Sequence, residues 1–247
     1  MSKPEAVVLL HGFGGTRRAW DGVAALLPAE RYRPVALDLP GHGAEAEVPR
    51  PITFAGCVAH VLERAPADTA FTLCGYSLGG RVALHVALAA PERVRRLVLV
   101  STSPGIEDAS ERTRRREADR ALADELKDGS YQEFVERWRS QPLFADEPPS
   151  VGALARADHR RNRPRALAAA LRGIGTGEME PLWARLGELE MPVAVVVGER
   201  DAKYRALGER MARLLPRGRL SVVPGGHGLV LENPEAVAAV LRGEPAG

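Results

Sequence analysis

Lysine is nearly missing from this sequence: among 34 basic residues in a chain of 247, it occupies only positions 3, 127 and 203, so almost every positive charge is a guanidinium. Such a bias is either compositional or a sign of planar, bidentate recognition of carboxylates. An excess of one charge is also missing. With 32 acidic residues and a formal net charge of +2, the chain is excluded as a general binder of nucleic acid or of an anionic membrane. Cysteine is limited to Cys57 and Cys74 without CxxC spacing, which excludes a disulfide framework. The first residues, Met1 to Glu5, carry no basic-then-apolar signal region, so a reducing cytoplasm is the expected setting. No apolar run approaches the roughly 20 residues of a membrane-spanning helix. Aromatics are scarce at 5%, but hydrophobics at 45% suffice for a sizeable core built mostly from Val, Leu and Ala.

What is present is an alternation. Apolar runs at Ala6–Leu10, Pro34–Asp38, Phe71–Cys74, Leu97–Val100, Val193–Val197 and Leu220–Val223 each end in a polar or glycine-rich loop, as buried parallel strands do. Helical stretches lie between them at Trp20–Leu27, Phe54–Arg64, Leu78–Ala89, Lys203–Leu215 and Pro234–Leu241, the last with Asn233 as its cap. This pattern predicts an α/β fold with a mostly parallel sheet of about six strands and helices on both faces. It is interrupted once, after the fourth strand, by a charged segment without strands. Residues 1–104 and 191–247 are therefore expected to form the core, and 105–190 a helical lid divided at Pro148-Pro149 and Arg163-Pro164. In open α/β sheets the pocket lies beyond the carboxyl ends of the strands, where such an insertion would roof it.

Gly75-Tyr76-Ser77-Leu78-Gly79 stands between a predicted strand and a predicted helix, the context of a G-x-S-x-G nucleophile elbow. A serine hydroxyl needs a partner to take its proton, and that partner is most often an imidazole oriented by a carboxylate. His227, on the loop after the last strand, and Asp201, just past Val193–Val197, complete the chain order Ser, Asp, His. Glu199 is the alternative acid on the same loop, while His42, His60 and His85 read as structural. The amides of Leu78 and Phe13 are the expected oxyanion donors. Gly12 to Arg17 fails as a dinucleotide fingerprint, because arginine stands at the third glycine. With no Walker lysine and no metal-spaced cluster, the site calls for no cofactor. Arg81 lies one helical turn after Ser77 and can reach the space above it, or it can pair with a surface acid. Arg112, Arg115 and Arg116 share a helix face that is either solvated or turned to the pocket.

The chain resembles the α/β-hydrolase superfamily over its whole length, and more narrowly the MenH family of 2-succinyl-6-hydroxy-2,4-cyclohexadiene-1-carboxylate synthases. The closer likeness rests on the elbow Gly75–Arg81, the lid stretches Trp138–Phe144 and Asn162–Ala168, the run Leu171–Gly177, and Gly198–Tyr204. This resemblance implies a carbon-oxygen lyase of menaquinone biosynthesis, in which the activated serine acts as a base so that pyruvate is eliminated from a small polycarboxylate. It also implies substrate contacts from Tyr76, Arg81, Arg115 and Trp138 and a third lid cation near Arg160, although Trp138, with Phe134 one turn earlier, can instead simply pack the lid. One ungapped register instead puts His159 there, and Arg161 is adjacent. A serine hydrolase acting on an ester, thioester, lactone or C–C bond is the rival function, using the same triad. The short stretch ahead of the first strand leaves no room for the antiparallel hairpin of many superfamily members. The expected assembly is a monomer or a homodimer.

Overall fold

The computed structural model describes residues 3–47 and 51–244; the outer ends of the expected core segments, 1–2 and 245–247, lie outside these. Among these described residues six strands form one sheet: β1 (Glu5–Leu10), β2 (Tyr32–Leu37), β3 (Phe71–Tyr76), β4 (Val94–Val100), β5 (Val193–Gly198) and β6 (Gly218–Val223). Their order is β2-β1-β3-β4-β5-β6, and every neighbouring pair is parallel. Among the described residues ten α-helices accompany them: α1 (Asp21–Ala25), α2 (Phe54–Arg64), α3 (Leu78–Ala89), α4 (Ala109–Asp128), α5 (Tyr131–Arg139), α6 (Pro149–His159), α7 (Pro164–Ile174), α8 (Ala202–Leu214), α9 (Leu229–Glu232) and α10 (Pro234–Arg242). Asn233 caps α10 through its side-chain oxygen, which accepts from the Ala236 amide.

Why the central strands are continuous apolar runs is visible in their packing. Val8 and Leu10 of β1, with Leu97 and Leu99 of β4, face one core cluster that includes Val61, Val82 and Met211. Val7, Leu9, Val98 and Val100 face the opposite cluster, with Val23 and Val237. Both faces are covered, so successive residues are equally apolar, each buried Val or Leu contributing about 1.5–3 kcal/mol. The outer strands begin earlier than expected, because Arg33 and Arg219 lie exposed near their starts and break the apolar run. Likewise the first helical stretch opens with a 3-10 turn, Arg17–Trp20, before α1.

Four helices, α4 to α7, leave the sheet between β4 and β5, and three of them, α4, α5 and α7, have their own core, in which Ala123, Leu126, Phe134, Leu167 and Leu171 pack together. The end of the inserted segment behaves differently. Met179, Leu182, Trp183, Leu186 and Leu189 belong to the sheet's own core cluster, so the roof proper ends near residue 178. Strand order reverses between β1 and β3, and the loops after these two strands diverge over that crevice, the usual location of a pocket in such sheets. Among the described residues no helix is long and apolar enough to cross a membrane.

The turn after β3 depends on close backbone approach. A Cβ on Gly79 would meet the carbonyls of Leu10 and His11, the latter oxygen at 2.6 Å. Gly79→Ala is therefore expected to destabilise the protein by about 3 kcal/mol, read as a lowered thermal unfolding midpoint.

Candidate active site

Ser77 sits between β3 and α3 with φ 51° and ψ −109°. A non-glycine residue there costs on the order of 1–3 kcal/mol unless its surroundings over-determine it. Here they do: the Ser77 amide donates to the Val100 carbonyl at 2.9 Å, and the Thr102 hydroxyl donates to the Ser77 carbonyl at 2.7 Å. The strained turn raises the hydroxyl above the sheet at the head of α3.

Two loops further along the sheet deliver its partners. Asp201 caps α8, accepting from the Tyr204 amide at 3.3 Å through Oδ1, and its other oxygen lies 2.7 Å from His227 Nδ1. His227 Nε2 is 3.2 Å from Ser77 Oγ. Burial holds the His227 imidazole below its ordinary range, with the Asp201 hydrogen bond acting in the opposite direction. A neutral ring between a carboxylate and a hydroxyl donates from Nδ1 and accepts at Nε2, the arrangement needed to take the serine proton. Glu199, the alternative acid, is exposed.

Phe13 follows β1 on the loop beside Ser77, and it lines the same cavity as Leu78. Among the described residues neither amide donates to another group of the protein, so both remain available as oxyanion donors. His42, His60 and His85 are structural: His42 packs against His11, His60 bonds the Asp38 carbonyl at 2.9 Å, and His85 stacks on Phe54.

Over Ser77 lies a cavity of about 410 Å³ between core and lid. Arg81 is 6% exposed on its floor. Among the described residues it makes no ion pair, and its Nε has no hydrogen-bond partner. Burial lowers its pKa to about 10, still leaving it cationic at neutral pH. From the roof, Arg115 of α4 reaches the same cavity and is steadied by Asp119, Nε to Oδ1 at 2.8 Å. Asp119 is itself fixed by the Gly177 amide at 3.2 Å. Of the acids at the cavity wall, Glu147 pairs with Arg139, Glu232 with Arg200 and Asp201 with His227, while Asp146 makes no ion pair among the described residues. No group of three His, Cys, Asp or Glu side chains able to hold a metal occurs among the described residues.

Residues 7–240 match the model of the Alpha/beta hydrolase family. A Bacillus subtilis (strain 168) protein is 35% identical over 246 residues, 96% of this chain and 89% of the relative. The 2-succinyl-6-hydroxy-2,4-cyclohexadiene-1-carboxylate synthase of Klebsiella pneumoniae (strain 342) is 34% identical over 237 residues, 95% of this chain and 91% of its own. Among solved structures, MenH from S. aureus superposes with a TM-score of 0.91 at 31% identity, covering 98% of this chain and 94% of that one. The chain belongs to the MenH family of α/β hydrolases.

The residues that MenH resemblance singled out divide in the structure. Trp138 lines the cavity and also packs on Phe13 and Phe134, with ring centroids 4.9 and 6.0 Å away. Tyr76 faces a smaller compartment of about 70 Å³ on the other side of Ser77. Arg160 does not reach either: it caps α6 in solvent, because the last turn of that helix directs Asp158 and His159 inward instead. His159 is the residue of this step that lines the small compartment. Burial lowers its pKa to about 3, so the position carries no charge. Arg161 is exposed beside Asp158. Arg112 and Arg116 bond the carbonyls of Ile106 and Gly177, which leaves Arg115 as the member of that face in the cavity.

Lys203 and Tyr204 also line the cavity and were not singled out from sequence. Their position in the first turn after Asp201 was the available signal, and the Tyr204 ring centroid is 4.5 Å from that of His227.

Because the base is neutral His227 and burial lowers its pKa, reactivity is retained on acidification past 6.5 and lost only as pH falls through the lowered value. The rate of Ser77 labelling by a fluorophosphonate is expected to have its acid half-point below pH 6.5.

Proposed function

We propose that the chain is a 2-succinyl-6-hydroxy-2,4-cyclohexadiene-1-carboxylate synthase, a lyase of menaquinone biosynthesis that eliminates pyruvate from a polycarboxylate cyclohexene. One observation carries the reading: Arg81 is buried one helical turn from Ser77 and, among the described residues, makes no ion pair with a carboxylate. A guanidinium in that state calls for an anionic ligand, since breaking or omitting one half of a buried charge pair costs about 3–5 kcal/mol. Arg115 supplies a second cation across the cavity. The product's name describes a ring carboxylate and a succinyl arm, so two carboxylates meet two fixed guanidinium groups.

His227 takes the Ser77 proton, and the serine oxygen removes a proton from the substrate ring next to the succinyl ketone. The Phe13 and Leu78 amides stabilise the charge that grows on the ketone oxygen. As that charge returns through the ring, the C–O bond to the enolpyruvyl group breaks and pyruvate leaves as its enolate. No covalent acyl-enzyme is required. We take the setting to be cytoplasmic and the assembly to be a monomer or homodimer.

The rival reading, a serine hydrolase, is favoured by the same triad geometry, and the assay separates the two. Incubation with the enolpyruvyl cyclohexene precursor is expected to release pyruvate, whereas short p-nitrophenyl esters are turned over poorly. A folded, pure protein that releases none but hydrolyses the esters fast overturns the synthase. Ser77→Ala is expected to lower turnover on the order of 10⁴-fold or more. Arg81→Ala should lower kcat/KM at least about 30-fold, the low end for truncating a buried charged hydrogen-bonding partner.

A further inference from the structure

The loop that carries the Phe13 amide is held from two sides. On the core side, the Leu39 amide donates to His11 Nε2 at 3.0 Å, which leaves the proton on Nδ1 to be donated to the Gly12 carbonyl at 2.8 Å. On the lid side, Asp158 at the end of α6 accepts from the Thr16 amide at 2.7 Å and from the Thr16 hydroxyl at 2.5 Å. Asn162, in the turn that follows, donates to the Gly14 carbonyl at 2.6 Å and accepts from the Gly43 amide at 2.8 Å. Between them His159 lies against Gly14, whose φ is +74°, close enough that a Cβ there would be 2.6 Å from the ring Nδ1. Asp158 and Asn162 are both buried. The end of α6 is in turn tied to α5, because the Tyr131 hydroxyl donates to the His159 carbonyl at 2.5 Å.

We infer that Asp158 and Asn162 are positioning residues, which clamp the oxyanion loop from the lid and so fix where the Phe13 amide points. The core anchors this loop at His11 and Gly12, ahead of Phe13, and again at Arg17, whose amide donates to Asp38 Oδ1 at 2.6 Å, whereas Gly14 and Thr16, between Phe13 and that second anchor, are held by the lid. The core holds the flanks of the loop, and a Gly15–Gly12 hydrogen bond closes its turn. The lid's contacts at Gly14 and Thr16 restrict the Phe13 amide further, towards the preorganisation that oxyanion stabilisation requires. On this account the lid completes the oxyanion hole as well as roofing the cavity. The inference rests on the proposed function only in taking Phe13 as an oxyanion donor.

The test uses the full chain and the rate of Ser77 labelling by a fluorophosphonate, whose phosphoryl oxygen occupies the oxyanion position whatever the natural substrate. Asp158→Ala and Asn162→Ala are each expected to slow labelling at least tenfold, without moving the acid half-point that reports His227. Asp158→Asn retains an oxygen for the Thr16 amide and an N–H for its hydroxyl, so it should recover labelling to within about threefold of the parent. Folding of each variant is checked by its thermal midpoint. Labelling at the parent rate in folded alanine variants overturns the clamp, and so does an asparagine variant as slow as the alanine one. A parent chain that is labelled at Ser77 but releases no pyruvate defeats the synthase reading and leaves the clamp to the labelling rates.

Discussion

The backbone of Ser77 is the constraint on which the site depends. A left-handed residue at the end of a central strand is tolerated only because the strands beside it are locked. The Val100 carbonyl, the Thr102 hydroxyl and the approach of α3 to Leu10 all hold it. Each of those groups belongs to β1 or β4 or to the residues just after them. The parallel core is therefore the device that holds the nucleophile in its strained turn, and the loops of β5 and β6 bring Asp201 and His227 to it.

Charge is distributed with a purpose that net charge conceals. On the outside, arginines pair with acids: Arg137 with Glu125, Arg156 with Glu136, Arg185 with Glu188. Exposed pairs of this kind contribute little stability, on the order of 0–1 kcal/mol each. Inside, Arg81 has no such partner among the described residues, and Arg115 keeps its place through Asp119. Arg81 thus stays a buried positive charge without a counter-ion among the described residues, in a molecule that is nearly neutral, and the cost of holding it so is what the proposed carboxylate ligand would offset. The scarcity of lysine fits this arrangement, although the surface pairs show that most arginines serve elsewhere.

The lid has more than one duty. Helices α4, α5 and α7 share an apolar core, which makes them a body able to hold Arg115 and Trp138 at defined places. The end of α6, tied to α5 by the Tyr131 hydroxyl, grips the loop after β1 through Asp158 and, in the turn that follows, Asn162. Placement of substrate cations and placement of an oxyanion amide are then set by the same helices, so a shift of α6 would disturb both binding and chemistry.

The sequence by itself determined the sheet, the lid's place after the fourth strand, and Ser77 and His227, while the acid stood open between Asp201 and Glu199 until the structure set Asp201 against His227. Strands covered on both faces must be continuous apolar runs, and the elbow needs glycines where backbones touch, so both leave local marks at Val7–Leu10, Val193–Val197 and Gly75–Gly79. Tertiary structure alone decided which lid residues turn inward. The choice among His159, Arg160 and Arg161 depends on the rotation of one helix end, and adjacent residues there point in widely different directions. Asp158 meets Thr16, and Asn162 meets Gly14, across more than a hundred residues, a contact with no local pattern. Whether Arg81 was paired was likewise invisible, because the absence of a partner is a property of the space around a side chain and not of its neighbours in the chain.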